Sequence, residues 1–365
     1  MRRRFWTIAL PTAMLLLTTT LVSAQLPAPV YPGKTWARRK PEELRLALAA
    51  LERVAEFAGG RGCVARRGYL VYEWGDAAKR GDVASAAKPW YAHFLFKAVE
   101  ERLLPSLDAH ALQFEPRLAA LNPALNFKDK AITFRQLATQ TSGYGVAEAP
   151  GAAFDYNDYQ MALFWDTLFL KVYGATYETV DEKVLQARLT RALECEDNPT
   201  FLAFGAGDRA GRLAVSPRDF ARFGLLYLRE GNWRGRQLIS RAHARRAVSE
   251  PAPLSLPRTT GKAAEMIPGQ RSIGSRRIPD DQTDHHGSYS WLWWVNGIDR
   301  NGSRRWPGAT AKTFACLGHK NGQRGMAVLP ELDLIIAWND TRLGEMAEEP
   351  HPVGEMLRLL VASEY

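Results

Sequence analysis

Ser85 and Lys88 stand three residues apart in the run Asp82-Val83-Ala84-Ser85-Ala86-Ala87-Lys88-Pro89-Trp90. On a helix this spacing sets both on one face, so the hydroxyl can meet the amine. A serine hydroxyl alone is a weak nucleophile, and a neighbouring amine of lowered pKa can take its proton. The first turn of a helix also leaves backbone N–H groups without acceptors, and these can hold a developing oxyanion. Together these features could perform acyl transfer. A chain of this length holds about one S-x-x-K by chance, so the surrounding elements must carry the argument.

Those elements can be followed along the chain. Pro41-Glu42-Glu43 opens a helix with proline and acids in its first turn, and Leu44, Leu48, Leu51, Ala55 and Ala58 recur at helical spacing before Gly59-Gly60. Cys63 to Ala65 and Tyr69 to Trp74 read as a hairpin around Arg66-Arg67-Gly68, and Gly75-Asp76 begins the loop that delivers Ser85. Tyr91 to Leu104 continues the helix behind Lys88. Pro89 removes the N–H that would bond the Ser85 carbonyl and so loosens the turn at the nucleophile. Thr133 to Gly143 reads as a capped helix ending at a glycine, with further helices over 160–173 and 179–196. Ser216 as N-cap and Pro217 behind it start a strong helix to Leu228. Residues 250–287 are Pro- and Arg-rich without periodicity, the kind of stretch that forms a lid or stays irregular. Strands follow over Tyr289–Val295, Thr313–Leu317, Met326–Leu329 and Leu334–Trp338, and a helix over 352–362 closes the chain. Strands at both ends with helices between predict one sheet built from both termini, an α+β arrangement.

Composition sets the compartment and excludes some functions. The 365 residues are 46% hydrophobic and 10% aromatic, enough for a large core. Arg2, Arg3 and Arg4, the apolar run from Phe5 to Val22, and Val22-Ser23-Ala24 before Gln25 form a signal peptide cleaved at Ala24/Gln25. The expected location is periplasmic or secreted, with no transmembrane segment after cleavage, a linker over 25–40 and one domain over 41–365. The formal charge of +9 falls to +6 without the three leader arginines, which suits an anionic cell-wall or membrane surface. Basic and aromatic residues are not interleaved as in a nucleic-acid groove, so nucleic acid is not an expected partner. Cys63, Cys195 and Cys316 permit at most one disulfide, of open pairing. Without C-x-x-C or H-E-x-x-H, no metal or cofactor is expected. The cluster Asp280, Asp281, Asp284, His285 and His286 on an irregular loop reads as a solvated face, and no G-x-S-x-G elbow offers a rival nucleophile.

Several segments, in order, resemble the serine β-lactamase and penicillin-binding-protein superfamily over roughly residues 45–362. Within it, the resemblance is to the class C-type branch that holds D-alanyl-D-alanine carboxypeptidases, esterases and 6-aminohexanoate-dimer hydrolases. Besides S-x-x-K they are Gly68 to Asp76, Thr133 to Gly143, Pro150-Gly151 with Phe154 and Tyr156, Ser216 to Leu238, and Pro330-Glu331-Leu332-Asp333-Leu334. The resemblance implies an antiparallel sheet flanked by helices on both faces, beside an all-helical subdomain over approximately 105–212, with the active site between. It implies Ser85 as acylated nucleophile, Lys88 as its base or base partner, and Tyr156 as the phenol that shuttles a proton. The third motif would be Gly318-His319-Lys320-Asn321-Gly322, with His319 in place of the usual Lys or His.

Two positions depart from the pattern. The family's Y-x-N reads Tyr156-Asn157-Asp158, so a carboxylate stands where an amide is expected. Beside Lys88 it would stabilise the ammonium and weaken the base, unless Asn157 takes over by a local shift. The family's H-x-G has Asn321 at the glycine's place, with Gly322 one position late. The leading expectation is an exported serine hydrolase acting on a small ester or peptide-like amide, with peptidoglycan a further partner. The alternative is a catalytically weak binding protein on the same fold that recognises cell-wall peptide, supported by Asp158 and Asn321.

Overall fold

Glycine and β-rich sequence build the frame from the two ends of the chain. The computed structural model describes residues 26–204, 210–274, 283–347 and 351–365; the expected signal peptide and Asp280 and Asp281 lie outside them. The first helix is α1 (Leu48–Ala58), followed by the hairpin β1 (Arg61–Arg66) and β2 (Tyr69–Trp74), turning at Arg67 and Gly68, both at positive φ. The short strand β3 (Gly81–Asp82) leads to a 3₁₀ turn, Ala84–Ala87, and straight into α2 (Lys88–Glu100). Next are α3 (Phe134–Ala138), α4 (Asp158–Trp165), β4 (Thr200–Phe204), β5 (Ala210–Val215) and α5 (Pro217–Leu228). A small hairpin, β6 (Asn232–Trp233) and β7 (Arg236–Gln237), precedes α6 (Arg241–Ser249). The chain finishes with β8 (Tyr289–Ser290), β9 (Trp293–Val295), β10 (Phe314–Gly318), β11 (Arg324–Leu329), β12 (Leu334–Asn339) and α7 (Pro352–Val361).

The main sheet has the order β2-β1-β12-β11-β10-β9-β8 and is antiparallel throughout, with Cys63 opposite Ala337 and Cys316 opposite Met326. Helices cover both faces, as the α+β reading expects. Helices α1 and α7 pair with each other, while α5 packs on β1, β11 and β12. Gly224 makes that contact close: a Cβ there would meet Met326 Sδ at 2.8 Å. Against α5 lies α2, with Trp90 stacked on Phe223 at 4.3 Å between centroids.

Several expectations need correction. The helix expected from Pro41 is a 3₁₀ turn, Pro41–Leu44, that breaks at Arg45 in a left-handed conformation before α1 begins. At the edge of the helical middle region, β3, β5 and β4 form a small three-stranded sheet that the sequence did not announce. The linker segment over 26–40 is anchored to the domain by specific contacts. Trp36 is buried, Arg222 Nη1 donates to Gly33 O, and Val30 N–H donates to Arg67 O. A Cβ on Gly68 would lie 1.8 Å from Val30 O, so the β1–β2 turn is shaped around this lead-in. The aperiodic stretch is also ordered where described: Phe154 N–H donates to Pro257 O, Thr259 N–H to Phe154 O, and Ala264 N–H to Gly145 O. His285 is buried there, with Leu256 O 2.9 Å from Nε2 and the Gly287 N–H 3.0 Å from Nδ1, so it caps a loop and is not on a solvated face. All three cysteines are free thiols.

Candidate active site

The turn that carries Ser85 is clamped from below. Asp82 Oδ1 accepts the Ala84 N–H at 3.0 Å, which helps to hold Ala84 at φ +50°. The same carboxylate takes both Arg212 from β5 and Arg324 from β11, so three segments meet at one side chain. Ser85 is second in its turn, where an N–H has no acceptor within the turn. Gly318, at the end of β10, comes close enough that a Cβ would lie 2.1 Å from Val83 O and 3.1 Å from Ser85 N. Only glycine fits there, and it leaves the space beside the Ser85 N–H open.

Lys88 follows at the first position of α2, 1% exposed. Its Nζ lies 2.6 Å from Ser85 Oγ, 3.1 Å from Tyr156 Oη and 2.8 Å from Asp158 Oδ1. An ammonium has three hydrogens, and three acceptors surround this one. Burial works to lower the Lys88 pKa, but the Asp158 carboxylate, with Tyr289 and Tyr91 adding to it, more than offsets this, and the pKa is raised. The resting group is therefore an ammonium. Tyr289 lies behind it with a buried hydroxyl, edge-on to the Tyr156 ring at 5.8 Å, and burial drives its pKa well above 10.

The second motif is placed by its own helix cap. Asn157 is the N-cap of α4: Oδ1 accepts from Tyr159 N and Gln160 N, while Nδ2 donates to Tyr144 O and Asp155 Oδ2. Fully buried and fully bonded, Asn157 holds the loop and cannot stand in for a substrate-binding amide. Asp158, one residue on, projects to Lys88, and the 258–274 segment closes over it: a Cβ on Gly274 would meet Asp158 Oδ2 at 1.7 Å.

The third motif leaves β10 under strain. His319 has φ 63° and ψ 178°, a conformation that costs a non-glycine residue about 1–3 kcal/mol. It borders the same cleft as Ser85, and burial together with Arg324 and Arg212 lowers its pKa, so it is neutral at pH 7. Asn321 donates to Met346 O at 3.0 Å, and Gly322 O accepts from Trp338 Nε1 at 2.7 Å. These two residues shape the turn.

The cleft over Ser85 has a volume of about 1490 Å³. Tyr156, Trp294, Leu317 and His319 line it together with Ser85, and Arg305 and His351 extend it. Trp294, Tyr289 and Arg305 were not legible as site residues. These three lie in no motif; Gly318 stands in the expected third motif, but its close approach to the Ser85 turn has no local signal. The distance geometry thus brings together Ser85, Lys88, Tyr156 and Asp158 and sets His319 at the rim.

No protein-family model matches the chain, and no curated protein matches its sequence. Its fold, in contrast, is shared by many solved structures. A Bacillus anthracis protein assigned as a 6-aminohexanoate-dimer hydrolase aligns with a TM-score of 0.60 at 16% identity, over 90% of this chain and 86% of that one. EstCE1, a hydrolase with promiscuous acyltransferase activity, gives 0.58 at 11% identity, over 85% and 98%. A class C β-lactamase in complex with cefoxitin gives 0.54 at 13% identity, over 86% and 97%.

Proposed function

We propose, from a chain that has the serine β-lactamase and penicillin-binding-protein-like fold, that the protein is a serine hydrolase forming an acyl-enzyme at Ser85. The observation that carries this is the single nitrogen, Lys88 Nζ, within hydrogen-bond distance of both Ser85 Oγ and Tyr156 Oη at the floor of an open cleft. Once Lys88 has lost its extra proton, Nζ accepts the Ser85 proton as Oγ bonds to the acyl carbon. The Ser85 N–H holds the oxyanion. On collapse, Tyr156 gives its proton to the leaving atom and takes one from the Lys88 ammonium. Water then attacks the ester by the reverse proton path, and Ser85 is regenerated. An exported enzyme acting on a small ester or peptide-like amide, with peptidoglycan as one source of such amides, agrees with the leader and the residual positive charge.

A second reading is favoured by Asp158. Because its carboxylate keeps Lys88 charged, the same cleft would serve a weakly catalytic protein that binds such ligands. Intact mass after treatment with a serine-directed fluorophosphonate separates the two. A single adduct, lost in Ser85→Ala with the melting temperature unchanged, is the expected result. Absence of any adduct on folded protein would favour the binding protein, and loss of folding in the variant would make Ser85 a structural cap.

A further inference from the structure

A second phenol stands behind the pair formed by Lys88 and Tyr156. Tyr289, on β8, is buried and lies edge-on to three rings: Phe154 at 5.3 Å, Tyr156 at 5.8 Å and Trp294 at 4.7 Å between centroids. Its carbonyl accepts the Ala252 N–H at 2.8 Å, so backbone and ring are both held. Its hydroxyl is not spent: among the described residues it makes no hydrogen bond of normal geometry. A buried hydroxyl in that state is a net cost to the fold, and phenylalanine would fill the same space without it. Departures of this kind belong at sites where a polar group is kept for chemistry.

The neighbours of this hydroxyl limit where its proton can go. Gln140 is buried, and its Oε1 accepts from the Asn157 N–H at 3.0 Å and from Gln160 Nε2 at 2.7 Å. Its Nε2 is thereby left as the end that faces Tyr289; it is outside normal hydrogen-bond geometry, yet close enough to work against burial on the pKa of the phenol. An amide N–H donates and cannot accept. Nor can the Lys88 ammonium, whose three hydrogens are met by Ser85, Tyr156 and Asp158. Asp158 has Oδ1 on Lys88 and Oδ2 against Gly274. Tyr156 Oη is the acceptor that remains. It lies 3.1 Å from Lys88 Nζ, and once it has lost its proton it has room for a second donor. Burial and the charge of Tyr156 both raise the Tyr289 pKa, so Tyr289 keeps its proton when Tyr156 gives its own away.

We propose that Tyr289 is a positioning residue that donates its O–H to Tyr156 Oη as that oxygen becomes a phenolate. On collapse of the tetrahedral intermediate, the bond between the acyl carbon and the leaving atom breaks, and the leaving atom takes the Tyr156 proton. The charge rests on Oη until the Lys88 ammonium returns a proton, and Tyr289 holds that charge without giving up its own. Because the hydroxyl is unspent in the resting site, its contribution falls on the transition state and not on the ground state. Turnover rests here on the serine-hydrolase reading; the contact between the two phenols does not.

Two esters with one acyl group test the role in turnover. From 4-nitrophenyl valerate the phenolate departs unaided, whereas from ethyl valerate the alkoxide must be protonated as it leaves. The ratio of kcat/KM, nitrophenyl to ethyl ester, rises about tenfold in Tyr289→Phe, as loss of a hydrogen bond to a charged oxygen requires, and Tm does not fall. An unchanged or lowered ratio overturns the proposal, and a lower Tm with it would make the phenol a packing group. In parallel, Tyr156 is titrated by carbon NMR of protein carrying tyrosine labelled at Cζ, its signal assigned by its loss in Tyr156→Phe. The Tyr156 pKa rises by about one unit in Tyr289→Phe, the same tenfold in its ionisation constant. That rise supports the contact even where neither ester is turned over, in which case only the hydrolase reading fails. An unmoved or lowered Tyr156 pKa overturns it.

Discussion

At the scale of single residues, Asp158 decides how this site differs from a free serine–lysine pair. Its carboxylate raises the Lys88 pKa against the opposing effect of burial, so the neutral amine needed to accept the Ser85 proton forms only at alkaline pH. In Asp158→Asn that pKa falls, and the alkaline limb of the acylation rate moves toward neutral pH. The pH dependence of fluorophosphonate labelling measures this, and an unmoved limb would remove Lys88 from the proton path. Stability changes in the opposite sense. A raised pKa in the folded state means that the ion pair stabilises below the free lysine's pKa, and that this is lost as pH rises through the folded value. Breaking a buried pair costs about 3–5 kcal/mol, with the partly exposed Asp158 placing this pair at the low end. Ser85 and Lys88 were legible because their spacing is local, and so was the concern over Asp158. Asn157 misled because a residue's neighbours in sequence do not reveal that its side chain is spent as a cap. Arg305 and Trp294 left no local pattern at all.

Among elements, the join between α2 and α6 holds the lysine-bearing helix in place. Glu100, at the far end of α2, accepts the Ser240 N–H at 2.8 Å and lies 2.8 Å from His243 Nδ1. Burial would raise its pKa, but these hydrogen bonds hold it down at about 2. A depressed carboxylate pKa gives stability that is complete above the unfolded value and is lost as pH falls from about 4.5 toward about 2. Glu100→Gln therefore costs about 1–2 kcal/mol at pH 7 after allowing for solvent screening, and almost nothing near pH 2. Urea unfolding at both pH values gives the comparison; an equal loss at each would mean packing, not charge, makes the join. The β1–β2 hairpin and the Ser216-capped α5 were readable because each carries its own turn or cap. The β3-β5-β4 sheet was not, since β3 is only two residues long and its partners lie far along the chain. Likewise Arg45 gives no sign in sequence that it breaks the first helix.

For the molecule as a whole, both ends of the chain meet in one sheet, which the order of strands and helices already implied. The lead-in was harder to read because proline-rich, basic sequence carries no periodicity. Its hold comes from single long-range contacts such as Arg222 with Gly33 O and Arg234 with Pro32 O. The placement of the thiols has a consequence for the redox behaviour of the protein. Cys63 on β1 and Cys316 on β10 are separated by β12 and β11, three strand spacings or roughly 14 Å, beyond the reach of a disulfide. With Cys195 also a free thiol, no disulfide within the chain ties the fold, and its stability does not depend on an oxidant. Refolding yield and Tm should be the same with and without dithiothreitol; a Tm that drops in reductant would reveal a covalent link between two chains through the half-buried Cys195.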